Sequence, residues 1–411
     1  MRILHVDKFL RRFGGAAGYM LDLAALQQAR GHDVEFFAMD HPENLPATYQ
    51  AHFPPFVALD PPPAGLGPRL STALTIIHSS RAAAGMKAVI EAFKPDVVHL
   101  HNIYHQLSPS ILRPLAANRI PVVMTVHDYK LVCPSYRLLD QDGLCTACVG
   151  GKVWQASKHR CKDGSLAASS LLAVESGIHR LTRAYGHVGI FLAPSKFLAD
   201  LLRADRSYAD RVRHLPNFVA AKAITPRSQP GSGFVSIGRL SPEKGVDTVI
   251  AAVGSLPDVT LTIAGDGPER TRLEAQARSV APGRVTFVGH VDKAGVAALN
   301  HGAIAAVLAA RWHENMPLSV LETMSAAVPM VVSDLGGLPE LVSHDVDGVI
   351  VAADDPAALA RALLALSRDP ARAARLGAAA RLKMIAGHDP HKHTDAVFEH
   401  YDAAAAFAIS S

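Results

Sequence analysis

Short apolar runs recur along the chain and alternate with longer stretches of mixed polarity. In the first half they are "ILHVD" (3–7), "GHDVEFFAM" (31–39), "PDVVHLH" (95–101), "PVVMTVHD" (121–128) and "GIFLAPS" (189–195). In the second half they are "GFVSIGRL" (233–240), "VTLTIAGDG" (259–267), "RVTFVGHV" (284–291), "AIAAVLAA" (303–310), "VPMVVSD" (328–334) and "DGVIVAAD" (347–354). Most are apolar at nearly every position, so they predict strands buried on both faces, with helices between them. The expected fold is α/β, with two Rossmann-like, doubly wound parallel-sheet domains. Ligands of open parallel sheets bind beyond the carboxyl ends of the strands, so the two domains are expected to face a central cleft.

The stretch "LPNFVAAKAITPRSQPGSG" (215–233) lacks periodicity and is rich in Pro, Ser, Gly and Ala, which marks a boundary. The predicted division is a first domain over 1–215, a linker over 216–232, a second domain over 233–386, and a last helix over 387–411 packing back toward the first domain. The Ala-rich tail from Pro356 to about Ile385 reads as helices interrupted near Asp369–Pro370 and near Gly377.

Composition narrows the class. Of 411 residues, 49% are hydrophobic and 19% charged, which describes a globular chain. The formal net charge of +4 is too mild to indicate a nucleic-acid partner. "MRILHVD" reads as a strand and not as a leader, and no apolar run reaches the ~20 residues of a membrane span, so the expected location is cytoplasmic.

The densest chemistry lies in "RWHENMPLSVLETMSAAVPMVVSDLGGLPELV" (311–342). Pro317 suits the first turn of a helix, so a helix is expected to start near Asn315–Leu318, with Glu314 in the loop before it and Glu322 on its second turn. Helix amino ends favour phosphate, and carboxylates beside one suit sugar hydroxyls. Either glutamate alone is equally well a partner of the helix dipole. "GRLSPEKG" (238–245) adds Arg239 and Lys244, cations able to neutralise a diphosphate at a strand end. "AGDGPE" (264–269) supplies Gly265 and Gly267, small enough for close ligand approach, and "FVGHV" (287–291) supplies Gly289 and His290.

These four motifs, with the Glu–seven-residue–Glu spacing of "ENMPLSVLE", resemble the donor half of the retaining GT-B glycosyltransferases of family 4. That family includes enzymes of bacterial capsule, lipopolysaccharide and exopolysaccharide synthesis. The resemblance implies transfer of a hexosyl group from a UDP or GDP sugar to a saccharide or lipid-linked saccharide. It implies Arg239 and Lys244 on the diphosphate, Glu314 on the transferred sugar and Glu322 on the ribose. The donor set becomes Gly15, Gly238, Arg239, Lys244, Gly265, Gly267, Gly289, His290, Glu314, Asn315, Met316, Leu318 and Glu322. The catalytic group within it is Glu314, Arg239 and Lys244, joined by His127, which matches a strand-end histidine bordering the sugar. Gly14, His101, Asn102 and Asp128 are expected to line the acceptor side. No cofactor is required for catalysis. Two other readings stand beside this one: a related nucleotide-sugar hydrolase or epimerase, and a non-catalytic sugar-nucleotide-binding module.

The cysteines Cys133, Cys145, Cys148 and Cys161 all lie in one excursion, 133–161. In a reducing compartment such clusters are metal ligands or free thiols, and four thiolates would close a structural zinc site. Nearby, Lys152, Lys158, Arg160, Lys162 and Trp154, with Arg180 and Arg183 on a predicted amphipathic helix (165–186), suggest peripheral contact with the cytoplasmic face of the inner membrane. A solvated loop and an ordinary core helix explain the same pattern.

Overall fold

Each predicted run becomes a parallel strand. The computed structural model describes residues 1–12, 14–59 and 65–410. Two compact units form, Met1–Leu215 with His391–Ser411, and Pro216–Pro390.

The first unit carries β1 (Arg2–Val6), β2 (Asp33–Phe37), β3 (Val97–Leu100), β4 (Val122–Thr125), β5 (Ile190–Ala193) and β6 (Val212–His214). Their order is β2-β1-β3-β4-β5-β6, with every pairing parallel. β3, β4 and β5 are buried at every residue, as strands covered by helices on both faces must be. The second unit carries β7 (Phe234–Ile237), β8 (Leu261–Ala264), β9 (Val285–Gly289), β10 (Ala305–Leu308), β11 (Met330–Ser333) and β12 (Gly348–Val351). Its order is β12-β11-β10-β7-β8-β9, again all parallel. Alternation along β10 splits its side chains between two cores. Ala305 and Val307 join Val249, Ile263 and Leu363, whereas Ala306 and Leu308 join Val320, Met324 and Val332.

In both sheets the chain reverses its direction of growth once, between β1 and β3 in the first and between β7 and β10 in the second. Helices cross on opposite faces there, and the loops beyond the carboxyl ends part to leave a crevice. Most of the predicted site residues lie at or beside these two places, whereas Gly289 and His290 lie at the end of the edge strand β9.

Two boundary expectations change. The segment 216–232 is not a linker but part of the second unit. Arg227 is buried, pushed down to about 10 by burial, and it donates to the Ala303 and Ile304 carbonyls. The tail breaks at Asp369, which caps the helix Pro370–Gly387 through the Arg372 N–H, but not at Gly377. Gly377 lies within that helix because a Cβ there would come 2.1 Å from the Ala327 carbonyl oxygen. The last helix, Pro390–Ser410, buries Val397, Tyr401, Ala404 and Ala408, and from His391 onward it belongs to the first unit.

Candidate functional site

In the second unit, glycines let three strand ends approach backbone to backbone. A Cβ on Gly265 would lie 1.9 Å from the Gly238 oxygen, and one on Gly267 would lie 2.3 Å from the Leu240 oxygen. Gly265 N–H donates to the Gly289 oxygen at 2.7 Å, which draws in the end of β9. Arg239 and His290 are exposed on this rim.

Lys244 ends a single 3-10 turn, Pro242–Lys244, and Gly245 follows at φ +64°. A Cβ on Gly245 would meet the Ala309 oxygen at 1.8 Å, so the turn can lie against the end of β10 only with glycine there. This brings Lys244 to Glu314. Glu314 is 5% exposed, and its Oε1 accepts from Lys244 Nζ at 2.6 Å and from Trp312 Nε1 at 2.7 Å. The ammonium also sits 5.3 Å from the centre of the Trp312 ring, a cation–π contact. Among the described residues nothing donates to Oε2.

The backbone around Glu314 is held as firmly. Gly337 N–H donates to the Glu314 oxygen at 2.7 Å, and Gly336, at φ +62°, has room for no Cβ, with that oxygen 2.3 Å away. Asn217 Nδ2 donates to the Met316 oxygen at 2.9 Å. The helix then runs Leu318–Ser325, with Pro317 at its cap and no side chain capping its first amides. Glu322 is half-buried on its second turn. Glu314, Asn315, Met316, Leu318 and Glu322 thus surround one helix start, with Lys244 beside them. The sequence motifs do not single out Trp312, although its position two residues before the first glutamate is a signal.

In the first unit the carboxyl ends of β1, β3 and β4 bring together Asp7, His101, Asn102, His127 and Asp128. Asp7 is buried, which pushes its carboxyl up to about 6 even though the Phe9 N–H donates to it at 3.1 Å. Burial also raises Asp128, which accepts from the Tyr104 hydroxyl at 2.5 Å and from the Lys130 N–H at 2.9 Å. Gly14, at φ +79°, and Gly15 begin the helix Gly14–Ala29, and a Cβ on either would have no heavy atom within 4 Å.

Beneath these groups runs a relay of buried imidazoles. With the Gln27 amide oriented as in the structure, Oε1 accepts from His5 Nε2 at 2.7 Å, His5 Nδ1 accepts from His101 Nε2 at 3.0 Å, and His101 Nδ1 accepts from His127 Nε2 at 3.1 Å. On the other side Gln27 Nε2 donates to the Tyr401 hydroxyl at 2.9 Å, which donates to His99 Nδ1 at 2.8 Å, and His99 Nε2 donates to Thr125 Oγ1 at 2.8 Å. Burial lowers His5 to about 4 and His127 to about 3, and holds His99 and His101 well below the usual range. All four are neutral at pH 7. His5, His99 and His101 bring ring nitrogens within 4.8 Å of one another, spacing that a metal ion can use, but their ring nitrogens already serve this relay. The motifs do not mark His5 and His99; they are register partners across β1 and β3 and so share one face.

In the 133–161 excursion, Cys133, Cys148 and Cys161 are buried and Cys145 is half-buried, all as free thiols. Arg180, expected on a basic surface, is instead paired with Asp205, with one contact at 3.2 Å.

Comparison with known proteins covers both units. Residues 13–222 match the family described as Glycosyltransferase Family 4, and residues 222–383 match Glycosyl transferases group 1. A glycogen synthase of Mycobacterium tuberculosis is 42% identical over 172 residues, 41% of each chain, so the match spans less than half of that relative. A GDP-mannose-dependent alpha-mannosyltransferase of Mycolicibacterium smegmatis is 27% identical over 98% of this chain and 97% of its own. In fold, the chain is similar to the sucrose-phosphate synthase from Thermosynechococcus elongatus, with a TM-score of 0.71 at 20% identity over 98% of both chains.

Proposed function

The chain belongs to glycosyltransferase family 4, and from that membership we propose that it moves a hexosyl group from a nucleotide-diphosphate sugar, UDP- or GDP-linked, to a saccharide or lipid-linked saccharide, retaining anomeric configuration, in cell-surface polysaccharide or glycolipid synthesis. The observation that carries the reading is the Lys244–Glu314–Trp312 cluster at the carboxyl ends of β7 and β10. It joins a cation, a buried carboxylate and an uncapped helix start at the point where an open α/β sheet receives its ligand.

In the proposed complex Arg239 and Lys244 meet the diphosphate and stabilise the charge that grows on it as the glycosidic bond breaks. The Glu314 edge Oε2 accepts a hydrogen bond from a hydroxyl of the sugar, while Trp312 holds Oε1 in place. The amides of the Leu318 helix start favour the phosphates, and Glu322 accepts from the ribose. Among residues of the first unit, His127 is assigned to the sugar, Gly15 to the donor, and Gly14, His101, Asn102 and Asp128 to the acceptor. The cations are side chains, so the diphosphate needs no metal in this scheme. Incubating the protein with radiolabelled UDP and GDP sugars and a panel of lipid-linked saccharides tests it. A product of retained anomeric configuration is expected; hydrolysis of the donor in place of transfer would overturn the transferase reading.

Peripheral membrane contact is supported by Trp154, 60% exposed, beside the exposed Lys152, Lys158 and Arg160. Among the described residues no helix is long and apolar enough to cross a membrane. Flotation with anionic liposomes is expected for the protein and weakened in Trp154→Ala; equal flotation of both removes Trp154 from the contact.

A further inference from the structure

The helices Leu66–Ile77 and Leu166–Leu181 pack together and meet at their carboxyl ends, where His179 Nε2 donates to the Ile77 oxygen at 2.8 Å. A helix laid on a sheet buries one stripe and turns polar residues outward. Here large apolar side chains stand outward as well. Leu70 and Leu74, one turn apart on the first helix, are 63% and 60% exposed, and Val174 and Leu181 on the second are 53% and 87% exposed. Val174, Ile178 and Leu181 follow one another at helical spacing, so they share one side of their helix. Ile178 and Ile77 line the same groove, which joins the two apolar stripes.

That groove holds about 410 Å³ and runs between these helix ends and the helix Leu112–Ala117. Ile77, Leu112 and Ile178 form its apolar part, and His78, Arg113 and Arg183 its basic part. A second groove of about 340 Å³ shares His179 and Arg183 with the first and adds Arg206, Tyr208 and Arg211. Among the described residues, no aspartate or glutamate lines either one. Two of the arginines are committed elsewhere, Arg180 to Asp205 and Arg211 to the Gly186, Val188 and Ser207 carbonyls. Arg113, Arg183 and Arg206 are exposed, and among the described residues their side chains make no hydrogen bond or ion pair.

The 133–161 excursion continues this surface. Gly151, at φ +90°, lets its turn lie against Arg180, since a Cβ there would come 2.1 Å from the guanidinium. Val153 lies 4.0 Å from a Cβ built on Gly177. Lys152 and Trp154 thus flank the same helix as Val174 and Leu181.

Exposed apolar faces rimmed by polar groups mark contact sites. A soluble anion would answer the three unpaired arginines and leave the leucines in water. The interface of an anionic phospholipid bilayer answers both, with phosphate outermost and acyl chain beneath it. We propose that this face docks on an anionic phospholipid bilayer, with lipid phosphates received between Arg113 and Arg183 and between Arg183 and Arg206, and with Leu70, Leu74, Val174 and Leu181 set into the acyl boundary. Guanidinium forks match phosphate oxygens two at a time. Peripheral membrane contact is the premise; the grooves add the lipid group that is bound and move the centre of the contact from Trp154 to the two helices.

Partition of the full chain onto vesicles of phosphatidylcholine alone, and of phosphatidylcholine with phosphatidylglycerol, tests this by sedimentation at low and high salt. Binding to the mixed vesicles is expected, falling as salt rises. Arg113→Gln and Arg183→Gln are each expected to weaken it about fivefold. Leu74→Ser with Leu181→Ser is expected to weaken it about tenfold or more at either salt. All four positions are exposed, so the variants are expected to melt like the native chain. Unchanged binding in the arginine and leucine variants would overturn the proposal; if Trp154→Ala then loses binding, the peripheral contact stands and lies on the excursion. A native chain that binds neither vesicle overturns both readings, and equal binding to phosphatidylcholine alone overturns the role of the anionic lipid. Inorganic phosphate or soluble glycerol phosphate held as tightly as the vesicles, with the leucine variants unaffected, would assign the grooves to a small anion instead. Self-association of the native chain that the leucine variants abolish, without vesicle binding, would assign the face to a second copy.

Discussion

A single carboxylate oxygen, Glu314 Oε1, holds both the ammonium and the indole at the candidate donor site. Glu314→Gln keeps an oxygen for Trp312 and removes the charge that fixes Lys244. We expect its transfer rate to fall by about 10²–10³, with the melting temperature nearly unchanged. Lys244→Ala leaves a buried carboxylate with only the indole as partner and is expected to lose both transfer and about 1–3 kcal/mol of stability. Single-turnover rates alongside thermal melts separate the two. The relay predicts a pH dependence. His5 and His127 are lowered from 6.5 to about 4 and about 3. The unfolded chain therefore binds protons first. Their contribution is full above about pH 6.5 and is lost as pH falls toward 4 and then 3. Asp7 works in the opposite sense, its contribution present below 3.8 and lost as pH rises through about 6, and burial raises Asp128 in the same direction, but these are two carboxyls against four imidazoles. Thermal melts from pH 7 to 4 are expected to show falling stability, with a shallower fall in His5→Asn. His101 and His127 are legible in the sequence because they end strands. His5 and His99 are not, because their meeting depends on which strands are neighbours, and local pattern does not give strand order.

At the scale of elements, the glycines sort into two kinds. Gly245, Gly265 and Gly336 are required by backbone approach, whereas Gly15 has open space around it. Gly336→Ala would place a methyl 2.3 Å from the Glu314 oxygen at φ +62°, and we expect a loss of at least ~2 kcal/mol together with weaker nucleotide-sugar binding. Gly15→Ala is expected to melt like the native chain; any change in turnover it shows then reports ligand contact and not folding. Differential scanning calorimetry and donor titration on both variants check this. The start of the helix at Leu318 is legible from Pro317, since proline fits a first turn. The role of Gly377 is not, because a glycine read locally looks like a break, and only the Ala327 carbonyl against it explains why the helix continues. Likewise Arg180 reads locally as a surface cation, and only the fold brings Asp205, beyond the next strand and helix, beside it.

For the whole molecule, eleven of the twelve strands among the described residues, and their parallel pairing, follow from the apolar runs; β6 does not, since only Val212 of its three residues is buried. The two reversals of strand order do not, since they depend on which way each connection crosses. The return of the last helix to the first unit has an energetic side. Tyr401 and His393 supply partners to Gln27, His99 and Tyr19, and Gly189 is a glycine where a Cβ would press within 3.1 Å of Ala404. A chain ending at Pro390 loses the burial of Tyr401 and Val397, about 3 kcal/mol or more. The first unit is then expected to melt roughly 6–12 °C lower. Hydrogen exchange should quicken in β1 and β3 and stay unchanged in β10 and β11; equal quickening in both sheets would contradict the assignment of this helix to the first unit.

The Gln27 amide has a consequence for the histidines above it. Hydrogen bonds in a row are directional, and every proton in this row is assigned by which end of one amide faces His5. Turn that amide by half a rotation and the whole row still closes, with each of the four imidazoles carrying its proton on the other nitrogen and Tyr401 donating where it had accepted. The row therefore has two complete settings and no intermediate one without a broken bond. The lone pair or the proton that His127 presents at the strand ends is thus chosen in the interior, three side chains away.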